Sequence, residues 1–286
     1  MRAEELCNPG NQLGEGPVWS RVEGCLYWVD IRDPAIFQFN GHVINRYPMP
    51  AMPGCISMCH SGMVAVALTG GVHLFDTRSK ALELLVELEK DLPDNRPNDG
   101  RCDPLGRLWL GTMVDRNRYT GGTLYRIDGS ESRAIFGDIA IPNSIQFSPN
   151  GDTFYFSDTP TGNIWAYGLD LESGTIGERR LLVSGTELPG KPDGSAMDAD
   201  GCLWNARFGA GYIARITPDG RCDRLVQVPA SQVSSCTFGG RDSQTLFITS
   251  ARQNLNPLQL ATEPLSGAVF AVETGITGIT ENEFAL

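Results

Sequence analysis

RPNDGRCDPLGRLWLGTM, residues 96–113, is the stretch whose reading decides the fold. It opens on the polar side chains Arg96, Asn98 and Asp99. About ten residues later it becomes a hydrophobic strand core, Leu108-Trp109-Leu110. Between the two, Asp103-Pro104-Leu105-Gly106 has the composition of a turn, with Pro presetting φ and Gly free to take φ > 0. The same two-part phrase recurs along the chain with a different polar head each time. The strand cores are expected to build the fold, and the heads a site.

Working outward, strand cores stand at CLYWVDI (25–31), GMVAVAL (62–68), RLWLGTM (107–113), TFYFSDT (153–159), CLWNARF (202–208) and TLFITSA (245–251). Their starts are 37 to 49 residues apart. Each is followed by a second alternating phrase: AIFQFNG, GVHLFDT, GTLYRID, GNIWAYGLD, GYIARIT and GAVFAVE. Further strands fit between these pairs, at 42–50, 81–88 and 179–185 for example. ALELLVELEK has helical propensity but is read as a strand, because tertiary context overrides propensity. Six units at this period predict an all-β, six-bladed β-propeller with four-stranded antiparallel blades, a single domain over 1–286. A large β-sandwich would not require the six-fold phrasing. Blades cannot hide both faces alone, so closing the ring is the condition for stability.

Composition agrees. The chain has 33 Gly and 18 Pro among 286 residues, which suits many short strands joined by turns. No apolar run approaches the length of a membrane span, and MRAEELCNPG lacks a signal-peptide layout. A cytoplasmic protein with no membrane partner is expected. The net charge of −11, without any basic block, argues against nucleic acid. Eight scattered cysteines with no CxxC pair read as free thiols. The three histidines (His42, His60, His73) have no metal-like spacing. No GxSxG elbow exists for a serine triad, and Cys59-His60 reads as a turn pair.

The chemistry should lie where the repeats differ. In a propeller the innermost strands line the axis and open at one face. The heads there are Glu15, the neutral Gly54-Cys55-Ile56, Asn98 beside Asp99, Asn143, Asp193, and Ser235 with Cys236. Four of six thus bring Glu, Asn, Asn and Asp oxygens to one small volume. Two carboxylates alone there would repel and raise each other's pKa. A divalent cation removes that cost, and an all-oxygen set suits Ca²⁺, Mg²⁺, Mn²⁺, Zn²⁺ or Fe²⁺ without choosing among them.

These residues sit in phrases that resemble a known family. LGEGPVW, NRPNDGRCDPLGRLWLGTM, PNSIQFSPNG, PDGSAMDADGCLW and CTFGG…LFITSAR follow in order from about residue 12, ending with GITGITENEF. Together they are similar to the regucalcin/gluconolactonase family, also called the senescence marker protein family. The resemblance implies one divalent cation near the channel mouth and hydrolysis of a small-molecule sugar lactone. By motif, Glu15, Asn143 and Asp193 match the metal ligands, with Asp193 doubling as the base acting on water. Arg96 and Asn98 match the substrate-binding pair, and Asp99, grouped with them, matches a neighbouring acid sometimes linked to a further cation. The loop after GTM, where members carry an acidic or substrate-shaping residue, reads here Val114-Asp115-Arg116-Asn117-Arg118-Tyr119. The resemblance leaves two alternatives beside the lactonase: a non-catalytic calcium-binding propeller, and a related esterase or phosphotriesterase.

Overall fold

The computed structural model describes residues 1–116 and 119–286, so Asn117 and Arg118 of the loop after GTM lie outside the described residues. Strand β1 (Glu4–Cys7) comes first in the chain but belongs to the last blade. Blade I is β2 (Gly14–Ser20), β3 (Cys25–Asp30), β4 (Ala35–Phe39) and β5 (Ile44–Pro48). Blade II follows with β6 (Pro53–Met58), β7 (Val64–Leu68), β8 (Gly71–Phe75) and β9 (Leu82–Glu87). Blade III contains β10 (Asn95–Cys102), β11 (Leu108–Val114), β12 (Gly122–Asp128) and β13 (Glu131–Ile139). In blade IV the strands are β14 (Pro142–Phe147), β15 (Thr153–Asp158), β16 (Ile164–Asp170) and β17 (Thr175–Val183). Blade V runs β18 (Lys191–Met197), β19 (Leu203–Phe208), β20 (Tyr212–Ile216) and β21 (Cys222–Gln227). Blade VI has β22 (Val233–Gly239), β23 (Thr245–Ser250) and β24 (Val269–Glu273), with β1 as its outermost strand.

The six-bladed propeller expected from the repeat is therefore the fold, each blade an antiparallel meander of four strands. The ambiguous ALELLVELEK segment is the edge strand β9, paired to β8. The polar heads lie on the innermost strands, as expected. NRPNDGRC is buried along its whole length and pairs with β11. Each inner strand packs against the inner strands of both neighbouring blades, which closes the ring around the axis. Burial falls outward: β3 is buried throughout, whereas β5 is almost entirely exposed.

Aromatic side chains fasten blade to blade. Trp109 of blade III meets Phe154 and Phe147 of blade IV at ring-centroid distances of 5.1 and 5.7 Å. Trp204 of blade V packs edge-on against Phe238 of blade VI at 5.4 Å. Both indoles are wholly buried, so each needs a hydrogen-bond acceptor. Asp103 accepts from Trp109 Nε1 at 2.9 Å, and Asp198 accepts from Trp204 Nε1 at 2.8 Å. The DPLG turn read from sequence has this second task, and Gly106 takes φ +79° in it.

Two closures were not legible in the repeat. Strand β1 pairs with β24, so the start of the chain completes the sheet formed by its last strands. Residues 276–286 then run as a strap across the end of the channel opposite the polar heads. Ile279 N donates to Met197 O at 2.9 Å, Phe284 N to Met58 O at 2.7 Å and Ala285 N to Gly106 O at 3.0 Å.

All six inner strands carry a register shift at the equivalent place, just where the head stands. The shifts fall between Glu15 and Val18, Pro53 and Cys55, Pro97 and Asp99, Asn143 and Gln146, Pro192 and Ser195, and Val233 and Ser235. An extra residue in one strand bends it and re-aims side chains. Repeated six times around a ring, this device turns the heads toward the axis. Ser144, in the left-handed region at φ 55°, marks the bulge in blade IV.

Candidate active site

A cavity of about 100 Å³ opens at the head end of the channel. Its polar wall is Glu15, Arg96, Asn98, Asn143, Thr159, Asp193 and Gln253, and Leu13, Met113, Ile141 and Phe208 supply an apolar side. Five of the six site residues expected from sequence are therefore brought together from four different blades. All five are under a tenth exposed.

Asp99, the sixth, is not among the side chains that line the cavity. Its carboxylate accepts from main-chain amides, Oδ1 from Gly100 N at 2.9 Å and Oδ2 from Ile145 N at 3.0 Å. From that place it acts on the others through space. Burial first, then the charge of Asp99, pushes the Glu15 carboxyl well above its ordinary range. Asp193 is pushed up by burial, then by Glu15 and Asp99. Arg101, farther down the channel, opposes the rise at Asp99 itself.

Asn143 is held at both ends of its amide, its Oδ1 accepting from Asn98 Nδ2 at 3.4 Å. Its Nδ2 donates to Thr159 Oγ1 at 2.8 Å, and the Thr159 hydroxyl donates in turn to Pro192 O at 2.9 Å. The amide nitrogen is thereby tied back into the wall. The backbone of Asp193 is fixed as firmly: its carbonyl accepts from Ser144 Oγ at 2.8 Å and Asn205 Nδ2 at 3.1 Å. Thr159, Ser144 and Asn205 were not singled out in the sequence. Each lies in a strand or turn phrase of ordinary composition, and only the folded partner reveals its role.

Among the described residues no cluster of three His, Cys, Asp or Glu side chains forms a metal site. The donor set here is two carboxylates and one amide. That set fits a divalent cation on two grounds: buried carboxylates that repel each other, and an amide whose nitrogen is engaged elsewhere. Supporting hydrogen bonds of the Thr159 kind commonly carry a factor of about 10–100 in metal affinity. Thr159→Val is expected to weaken divalent-cation binding by about that factor, as read by isothermal titration, with the melting temperature of the chelated protein little changed.

The ring of six blades and the carboxylate, amide and guanidinium wall at its mouth make a six-bladed propeller with one polar cavity on its axis. The model of the SMP-30/gluconolactonase/LRE-like region matches residues 13–252, and the chain belongs to that family. It is 38% identical to the 6-deoxy-6-sulfogluconolactonase of Pseudomonas putida, over 96% of this chain and 95% of that one. It is 36% identical to the L-arabinolactonase of Azospirillum brasilense, over 99% and 96% respectively. The crystal structure of a calcium-binding protein, regucalcin, from Agrobacterium tumefaciens superposes with a TM-score of 0.96 at 33% identity, covering 99% of this chain and 97% of that one. The protein is accordingly an enzyme that hydrolyses carboxylic ester bonds.

Proposed function

We propose that this enzyme opens an aldonolactone to its aldonic acid in sugar catabolism, in the cytoplasm, with one divalent cation held by Glu15, Asn143 and Asp193. The observation that carries the reading is the convergence of those three residues with Arg96 and Asn98 on one cavity. Two relatives that are lactonases by name support the substrate class, and the calcium-binding structural relative supports the cation. Among the described residues no helix is long and apolar enough to cross a membrane.

When bound, the cation supplies positive charge that polarises the lactone carbonyl and steadies the negative charge developing on it. The rest is the work of side chains. Arg96 and Asn98 hold the ring oxygen or hydroxyls and fix the carbonyl relative to Asp193. An Asp193 carboxylate oxygen accepts a proton from water as its oxygen attacks the carbonyl carbon. The ring C–O bond then breaks, and the same carboxyl returns its proton to the leaving alkoxide. Leu13, Ile141 and Phe208 face the hydrophobic edge of the sugar and limit access of bulk water. A non-catalytic calcium-binding role would not call for a buried guanidinium in the wall. A pH-stat assay over a panel of aldonolactones, aryl esters and phosphotriesters tests the reading, and turnover of none of the lactones sinks it.

The electrostatics of Glu15 give a second check. In the metal-free protein its carboxyl is pushed up to about 8, by burial first and Asp99 second. A folded pKa above the unfolded one contributes stability that is full below the unfolded value and is lost as pH rises through the folded value. The chelated protein is therefore expected to lose melting temperature as pH is raised from the ordinary carboxylate value, about 4.3, to about 8. The cation-loaded protein should lose much less over the same window. Parallel pH curves for the two forms in differential scanning fluorimetry would contradict this account.

A further inference from the structure

The geometry points to Asp115 as a positioning residue for substrate, acting through Arg96 and itself anchored by Arg32; the inference rests on the lactonase reading above. Asp115 stands just past β11, in the loop after GTM. Its Oδ1 accepts from Arg96 Nε at 2.7 Å. Both of its oxygens also accept from Arg32, Nη2 to Oδ1 at 2.7 Å and Nη1 to Oδ2 at 2.8 Å. Arg32 belongs to the turn after β3 in blade I, so the pair joins blade I to blade III. Met52, ahead of the inner strand of blade II, lies 3.7 Å from Arg32 Nη1. The bridge therefore crosses over blade II.

Blade II is the one unit before the fourth whose head is neutral, Gly54-Cys55-Ile56. A Cβ at Gly54 would stand 2.5 Å from the Pro97 carbonyl carbon, so the absent side chain lets β10 close in on β6. Beside this neutral head stands the Arg96–Asp115–Arg32 bridge, with Met52 against Arg32.

The consequence for Arg96 is a fixed orientation. Nε is bound by Asp115, while Nη1 donates to Asn98 Oδ1 at 2.8 Å and to Pro97 O at 2.9 Å. Nη2 has no hydrogen-bond partner among the described residues, and the guanidinium lines the cavity. Asn98 is oriented by the same network, its Nδ2 donating to Pro142 O at 2.9 Å. A planar guanidinium held along two of its edges offers the third to the substrate without first losing rotational freedom. Asp115 itself does not line the cavity, so it reaches substrate only through Arg96.

The test is a double-mutant cycle on the lactone that the cation-loaded wild type opens fastest, with KM and kcat read separately. Asp115→Asn is expected to raise KM about tenfold and to change kcat by less than about threefold, the pattern of lost uniform binding. In an Arg96→Lys background, where Nε and the fork are gone, Asp115→Asn should add little further. Arg32→Met, at a half-buried position, should raise KM about threefold and keeps the cycle readable if Asp115→Asn folds poorly. Wild-type KM in Asp115→Asn, or effects of Asp115→Asn and Arg96→Lys that multiply in the double variant, would overturn the inference while leaving the lactonase reading intact. A wild type that opens no lactone overturns both.

Discussion

Asp193→Asn is expected to abolish lactone opening and, in the same protein, to raise the melting temperature of the metal-free form. The first effect follows from losing the proton acceptor and one ligand charge together. General-base contributions alone run to about 100–10,000-fold, so kcat should fall by at least about a thousandfold. The second effect follows from the surroundings of the carboxylate. Burial and the charges of Glu15 and Asp99 hold the Asp193 carboxyl well above its ordinary range, which means that its ionised form is disfavoured in the empty site. An amide of the same shape removes that repulsion, and the carbonyl anchors from Ser144 and Asn205 are to the backbone and persist. Comparing chelated wild type with chelated variant at pH 8 reads the stability term, and a pH-stat assay reads the rate. A variant that stays active, or one whose chelated form melts well below wild type, contradicts the placement of Asp193 in a repelling cluster.

Glu281→Ala is expected to be the most damaging change away from the cavity. Glu281 sits in the strap across the far end of the channel and pairs with Arg101 at 2.9 Å; both side chains are under a tenth exposed. Arg101 donates from Nη2 to Ser195 O at 2.7 Å, and its Nε has no partner among the described residues. Removing one member of a buried pair leaves an uncompensated charge and costs about 3–5 kcal/mol. Asp99 still faces Arg101 electrostatically, which places the expectation near about 3 kcal/mol, a fall in melting temperature of roughly 6–12 °C for a chain of this size. Glu281→Gln, which keeps an acceptor, should lose less. Denaturation of both variants in the presence of saturating cation measures this, and a shift under 2 °C in Glu281→Ala, within about 1 kcal/mol, would show the strap to be dispensable.

Much of the fold was legible because a propeller repeats its hydrophobic phrase. The cores around Tyr27, Val66, Leu110, Phe156, Trp204 and Ile248 announce themselves by alternation and spacing. The heads were legible as differences between repeats, which is how Glu15, Asn98, Asn143 and Asp193 could be picked out across widely separated positions. Other features were hidden for identifiable reasons. Strand β1 and the strap of residues 276–286 act through pairings with distant segments, and nothing local distinguishes EELC or ENEF from loop. Bulges leave no composition signal, so the hydrogen bonds of Asp99, one residue from Asn98, to the Gly100 and Ile145 amides could not be read in advance. Thr159 and Asp115 each take meaning only from a partner, Asn143 in one case and Arg96 in the other.

Cation dependence is the claim on which the reading of the site turns, and one titration addresses it. Chelated protein is assayed for aldonolactone hydrolysis while a divalent cation is returned in measured steps, for wild type and for Asn143→Ala side by side. The expected result is no enzymatic rate at the start, recovery that saturates at one ion per chain in the wild type, and little recovery in the variant. Undiminished hydrolysis by the chelated wild type would contradict the account.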